Sequence, residues 1–206
     1  MNNKHESAYH NSKRQFLRGL TAIMGSVAIS QLTSTNALAS AFKYEAQANS
    51  TLKNGKLFSQ LEMQILHDIC AVVLPATDTP SAAELDVHGF LDHQLSACHS
   101  QEQQAHAKNI VNTINQQSNA NFSQPFTTIT ADQQTALLVA LESQKLGFNL
   151  ENKEQFKELK ALLIFGYFTT EVGATQALNY QAVPGGFKGS VSYSSLKKAW
   201  GSLAYY

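Results

Sequence analysis

Apolar residues recur at intervals of three and four along most of this chain, and nowhere do they alternate long enough to read as a strand. Leu61, Ile65, Ile69, Val72 and Val73 mark the first helical face. That helix opens at Ser59-Gln60-Leu61-Glu62, a capping box in which the Ser59 hydroxyl and the Glu62 carboxylate satisfy free amides at the helix start, and Pro75 stops it. A second helix runs from about Asp86, with Val87, Phe90, Leu91, Leu95 and Cys98 on one face. Ile110, Val111 and Ile114 suggest a further helical stretch, but residues 112–124 are so rich in Asn, Gln and Ser that they read as a surface connection. Thr130-Ala131-Asp132-Gln133 is a second capping box, and Leu137, Leu138 and Leu141 mark its helix. The strongest pattern spans 152–170, with Phe156, Leu159, Leu162, Leu163 and Phe168. Its continuous apolar run, 161–168, is too short to cross a membrane and reads as buried core. Gly173, Pro184, Gly185, Gly186 and Gly189 then punctuate an irregular tail, with a last helical turn at 196–200. The expectation is an all-α protein: a single helical bundle over 57–206 with a long irregular Gly/Pro-containing C-terminal tail, after a flexible lead at 40–56.

Residues 1–39 belong to a different pattern and read as an export signal. Ser12-Lys13-Arg14-Gln15-Phe16-Leu17-Arg18 resembles a twin-arginine translocation motif, with Lys13 where the first arginine is usual. A mildly apolar stretch from Leu20 to Leu32 follows, diluted by Thr21, Gly25, Ser26 and Ser30. Ala37-Leu38-Ala39 then offers a small-x-small site for signal peptidase, at Ala37 and Ala39. A membrane anchor would need about twenty predominantly apolar residues, more than this segment holds. The twin-arginine route carries folded proteins to the periplasm, which points to a cofactor loaded before export.

Composition removes some classes of function. The formal net charge of the chain is zero, but Lys4, Lys13, Arg14 and Arg18 sit in the signal with only Glu6 against them, so the remainder is mildly acidic and contains no arginine. Without arginine forks or a basic cluster, nucleic acid and nucleotide phosphate are poor ligands. Two cysteines, Cys70 and Cys98, lie on apolar faces of neighbouring predicted helices. In an oxidising compartment they can form one bridge, or they pack as two buried thiols.

A search for chemistry finds no cofactor or catalytic site in this chain. His67, His88, His93, His99 and His106 offer no pair at i and i+4, so they read as solvated or capping residues rather than metal ligands. Leu95 stands where covalent haem attachment would need a cysteine ahead of Cys98-His99. There is no dinucleotide fingerprint, no P-loop and no Gly-x-Ser-x-Gly elbow. Gly185-Gly186-Phe187-Lys188-Gly189 follows a proline loop instead of a strand. No catalytic, cofactor-binding or metal residues are assigned.

Two segments carry more detail than a plain bundle needs. Leu74-Pro75-Ala76-Thr77-Asp78-Thr79-Pro80 packs two prolines into a helix-to-helix turn, which fixes its backbone torsions. Gly166-Tyr167-Phe168-Thr169-Thr170-Glu171-Val172-Gly173-Ala174-Thr175-Gln176-Ala177-Leu178-Asn179-Tyr180 is an aromatic-rich helix end that unravels into the tail. With Val87-His88-Gly89-Phe90-Leu91-Asp92 between them, these segments resemble the gluconate 2-dehydrogenase subunit 3 family. The likeness covers most of the chain after the signal, with little of it between about 100 and 151.

The resemblance implies a function that elimination could not supply. Such small subunits bind a large FAD-dependent flavoprotein of the glucose-methanol-choline type, which lacks its own export signal. They escort it, folded around its FAD, through the twin-arginine translocase. Many such complexes include a multihaem cytochrome c subunit and associate with the membrane. On this reading the cofactor that requires folded export, FAD, sits on the partner, and a third subunit supplies any haem c. Tyr167, Tyr180, Pro184, Phe187, Tyr193 and Trp200 are the residues expected at the partner contact, since aromatic side chains are favoured at interfaces. The alternative is an independent periplasmic helical protein that holds a ligand or metal with its histidines.

Overall fold

The computed structural model describes residues 43–178 together with Ser190 and Ser192. The export residues Ser12, Lys13, Arg14, Phe16, Leu17 and Arg18, the cleavage residues Ala37 and Ala39, and the contact residues Tyr180, Pro184, Phe187, Tyr193 and Trp200 all lie outside the described residues. So does the turn expected at 196–200. Among the described residues there is no strand. A 3₁₀ turn at Ser50–Leu52 precedes five α-helices: α1 Gln60–Val73, α2 Val87–Cys98, α3 Gln101–Phe122, α4 Ala131–Glu142 and α5 Leu150–Thr169. A π-helical turn, Gly173–Ala177, ends the described run.

Helices α1 and α5 each pack against all three of α2, α3 and α4. The core lies among them. Ile65, Leu66 and Ile69 of α1 meet Leu91 of α2, Ile110 and Ile114 of α3, Leu137 and Leu141 of α4, and Leu163 of α5, all fully buried. Gly166 brings α2 and α5 close: a Cβ there would stand 2.6 Å from Cδ1 of Phe90. Of the run 161–168, Leu162, Leu163, Phe165, Gly166 and Tyr167 are buried, whereas Ala161 and Ile164 are exposed, so the run is a one-sided helix face and not core throughout, and no described helix is long and apolar enough to cross a membrane.

Both predicted capping boxes form, at Ser59/Glu62 and Thr130/Gln133. Two more appear, Ser100/Gln103 ahead of α3 and Asn149/Asn152 ahead of α5. The first of these corrects the reading of 112–124 as a surface connection. Capped at Ser100, α3 continues through that segment to Phe122, burying Ala107, Ile110, Val111, Ile114 and Ser118 at helical spacing. Its Asn side chains stay on the helix surface, where Asn119 and Asn121 donate to the carbonyls of Asn115 and Gln117, four residues back. Asn112 reaches across to Glu62 of α1 at 2.8 Å.

The two proline- and aromatic-rich segments meet. Tyr167 is 5% exposed, its hydroxyl donates to the Pro80 carbonyl at 3.1 Å, and it lies 2.7 Å from the Thr79 hydroxyl. With its one proton committed to Pro80, Tyr167 accepts from Thr79. The turn after α1 is thereby fastened to the end of α5, and Phe168 packs edge-on against the same ring at 5.3 Å. Tyr167 is therefore a latch inside its own fold and not a free contact for a partner. Replacing it by Phe removes both hydrogen bonds while keeping the ring, and should lower the unfolding free energy by about 1–2 kcal/mol in urea denaturation.

Cys70 is a free thiol, fully buried in α1. Burial, then the charges of Asp86 and Asp68, push it far above the ordinary thiol range. The bridge to Cys98 is not formed.

Candidate functional site

The motif Val87–Asp92 lies on α2, flanked by two buried carboxylates, Asp86 and Asp92. Both hold the lead. Asp86 precedes α2 with φ at 55°, a left-handed conformation that Asp tolerates better than most residues. It makes no cap bond to its own helix. Its Oδ2 instead accepts the Tyr44 hydroxyl and the Gln47 amide, the latter at 2.6 Å. Asp92 accepts the amides of Lys56, Leu57 and Phe58 at 2.7, 2.8 and 3.0 Å. Phe58 is buried beneath them, and Ser59 opens α1 one residue later.

Of the lead at 40–56, expected to be flexible, the described part is thus held to the fold at Tyr44, Gln47 and Lys56. Two glycines make room for it. A Cβ on Gly55 would stand 2.3 Å from Asp92 Oδ1, and one on Gly89 would stand 2.1 Å from the Tyr44 hydroxyl and 2.6 Å from Asp86 Oδ1. Both approaches need the missing side chain. Lys108 of α3 adds a bond to the Leu57 carbonyl at 3.1 Å and an ion pair with Glu62 at 3.5 Å. Burial alone would raise Glu62, but hydrogen bonds from Ser59 and Asn112 and the Lys108 charge outweigh it and hold the carboxyl below its usual range.

Behind the clamp lies a buried imidazole. His88 is 4% exposed, with Nε2 3.3 Å from Asp86 Oδ1 and its ring edge-on to His67 at 5.1 Å. Its Nδ1 is buried without a hydrogen-bond partner. A proton there would have no acceptor, which suits the neutral ring. Burial lowers the His88 pKa to about 4, against the pull of the Asp86 carboxylate. Burial first, and Asp86 second, push the Tyr44 hydroxyl well above the phenol range, so it remains a donor. His67 pairs with Asp68 at 2.9 Å and His106 with Glu158 at 3.3 Å. The histidines are therefore not all solvated or capping, since His88 is core. Among the described residues no three His, Cys, Asp or Glu side chains are grouped to hold a metal ion.

A family model described as gluconate 2-dehydrogenase subunit 3 matches residues 60–185, which takes in α1 to α5, the proline turn and the motif on α2. The chain belongs to that family. No curated protein and no solved structure matches it. The family's name describes one subunit of a multisubunit dehydrogenase. The matched region begins at Gln60, so the clamped lead precedes it, while both carboxylates of the clamp fall inside it.

Sequence reasoning placed Val87–Asp92 correctly on a helix but gave Asp86 and Asp92 no role. The available signal was Gly55 and Gly89, two glycines outside any evident turn, which mark close backbone approach.

Two outcomes follow from this geometry. A base whose pKa falls from 6.5 in the unfolded chain to about 4 in the fold costs stability as pH drops between those values, because the unfolded state binds the extra proton. Unfolding free energy should therefore fall by about 2 kcal/mol between pH 6.5 and about 5, and His88→Gln should flatten that slope. Gly89→Ala should displace Tyr44, and limited proteolysis should then cut the lead at 43–56 faster than in the wild type while α1 to α5 resist.

Proposed function

We propose that this chain is a non-catalytic small subunit that binds an FAD-dependent flavoprotein of the glucose-methanol-choline type and escorts it to the periplasm by the twin-arginine route. The observation that carries the reading is membership of the subunit 3 family combined with an export-type N-terminus, Ser12 to Ala39, on the same chain. The flavoprotein would carry the FAD and the dehydrogenation chemistry. A cytochrome c subunit with covalent haem would be the route for electrons out of such a complex.

The clamp gives this reading a mechanical basis. The segment that would follow the export signal is tied to α2 at Tyr44, Gln47 and residues 56–58. A signal joined to a fixed point on a folded subunit stays at a short, defined distance from whatever that subunit has docked. An interface that survives transport would bury about 2,000 Å² or more, typical of permanent complexes. The aromatic tail residues Tyr180, Pro184, Phe187, Tyr193 and Trp200 are the proposed contacts. Tyr167 is withdrawn from that set because it closes the corner at Thr79 and Pro80.

Co-expression tests the reading directly. The flavoprotein should reach the periplasm with the complete chain and remain in the cytoplasm when Lys13 and Arg14 are both replaced by Gln. Equal export of the flavoprotein in the two cases, read by dye-linked dehydrogenase activity of cell fractions, would remove the escort role.

A further inference from the structure

The lead carries the one Asn-Gly pair in the chain, Asn54-Gly55. Such a pair is chemically labile, because a glycine amide nitrogen, unshielded by any side chain, can close on the asparagine carboxamide. The fold nevertheless has a use for both residues. Asn54 offers its side-chain oxygen to the Gln60 amide at 2.8 Å, which satisfies a free donor at the first position of α1. Gly55 is fixed by space, since a Cβ there would lie 2.3 Å from Asp92 Oδ1.

The same contacts hold the reaction off. Ring closure needs the Gly55 nitrogen to lose its proton and swing onto Cγ of Asn54. That proton is committed to the Phe58 carbonyl, with nitrogen and oxygen 2.8 Å apart. The Asn54 carboxamide is tethered by the Gln60 amide. The Asp92 carboxylate stands against Gly55, where it would repel an anionic amide, and is itself held by the amides of 56–58. Asn54 is exposed, so water is at hand, and what the docked lead withholds is backbone freedom.

We propose that Asn54-Gly55 is a self-modifying site controlled by the clamp: a docked lead preserves the asparagine, and a released lead converts it to aspartyl and isoaspartyl products. The step balances with water as the only reagent. The Gly55 nitrogen bonds to Cγ of Asn54, the Cγ–Nδ2 bond breaks, and ammonia leaves with the Gly55 proton. Water then opens the succinimide at either carbonyl. The isoaspartyl product carries the main chain through the former side chain, which lengthens it by a methylene just ahead of the three amides that Asp92 accepts, and it leaves a second carboxylate near the first. Such a chain no longer fits the clamp, so release becomes irreversible. The reaction needs no flavoprotein and stands or falls separately from the escort role.

Peptide mapping by mass spectrometry, on the full chain incubated at mildly alkaline pH either folded or in urea, follows conversion at position 54. The folded wild type should convert about tenfold or more slowly than the same chain in urea, because only its open fraction reacts. Asp92→Ala should bring the folded rate to within about threefold of the urea rate. Gln60→Pro tests the same control without touching the carboxylate, and decides alone if Asp92→Ala does not fold. Proline suits the first helical position and the extended Ser59 before it, yet it removes the amide that tethers Asn54, so conversion should rise while the far-UV spectrum persists. Isoaspartyl chain recovered from the reaction should be cut by protease within 43–56 faster than unconverted chain. Equal rates for folded and urea-treated wild type overturn the proposal, as does a folded variant that converts no faster than the wild type, or an isoaspartyl chain that resists cutting as the unconverted chain does.

Discussion

A buried carboxylate destabilises a fold unless donors reach it, and two of them, Asp86 and Asp92, are buried at the start of and within α2, Asp86 hydrogen-bonded through Oδ2 only. Asp92 takes three successive backbone amides, those of Lys56, Leu57 and Phe58, and Asp86 takes an amide and a phenol. Much of what is particular to this bundle follows. The donors come from residues that lie outside any helix, so the chain ahead of α1 is bound in place by chemistry and not by propensity. Phe58 is delivered to the core, Ser59 is set at the start of α1, and the capping box with Glu62 can close. Glu62 in turn is held by Asn112 and Lys108 of α3, which extends the same network to a third helix.

Beside the start of α2 a neutral interaction does comparable work. The Thr79–Pro80 turn is held to α5 through the Tyr167 hydroxyl, and the Gly166 backbone lets Phe90 and Val87 of α2 lie against the same helix. The three segments that carry the family likeness are therefore in contact with one another: turn to α5 by hydrogen bonds, α5 to α2 by close packing.

Much of this was legible in the sequence. Capping boxes at Ser59 and Thr130 located two helix starts, since local side-chain bonding to free amides is encoded within four residues. The apolar faces of α1, α2 and α5 gave the helices and part of their core, but Leu61 is exposed, Val72, Val73, Cys98 and Phe168 are half-buried, and the buried Met63 and Leu66 were missed. Three readings failed, each for a physical reason. Asn- and Gln-rich composition concealed the second half of α3, whose buried stripe is narrow and whose polar face bonds back to its own backbone. The docked lead was invisible because its partners, Asp86 and Asp92, are more than thirty residues away and a polar segment gives no apolar period. Tyr167 was assigned to a partner because an aromatic near a helix end looks the same in sequence whether its hydroxyl meets another protein or the Pro80 carbonyl. The left-handed Asp86 likewise left no trace in pattern.

The functional reading joins a family assignment to this geometry: the segment from Tyr44 to Phe58 is fixed against α2, and the roles in export and docking are the proposal built on it. The claim beneath it is that the lead is folded by the α2 carboxylates. Amide hydrogen exchange at Lys56, Leu57 and Phe58 reads this most directly. The account predicts that these three amides are protected in the wild type to the same order as α1, and that Asp92→Ala, which removes both acceptor oxygens, strips their protection while Leu66 and Ile69 keep theirs. Free exchange at 56–58 in the wild-type protein would contradict it.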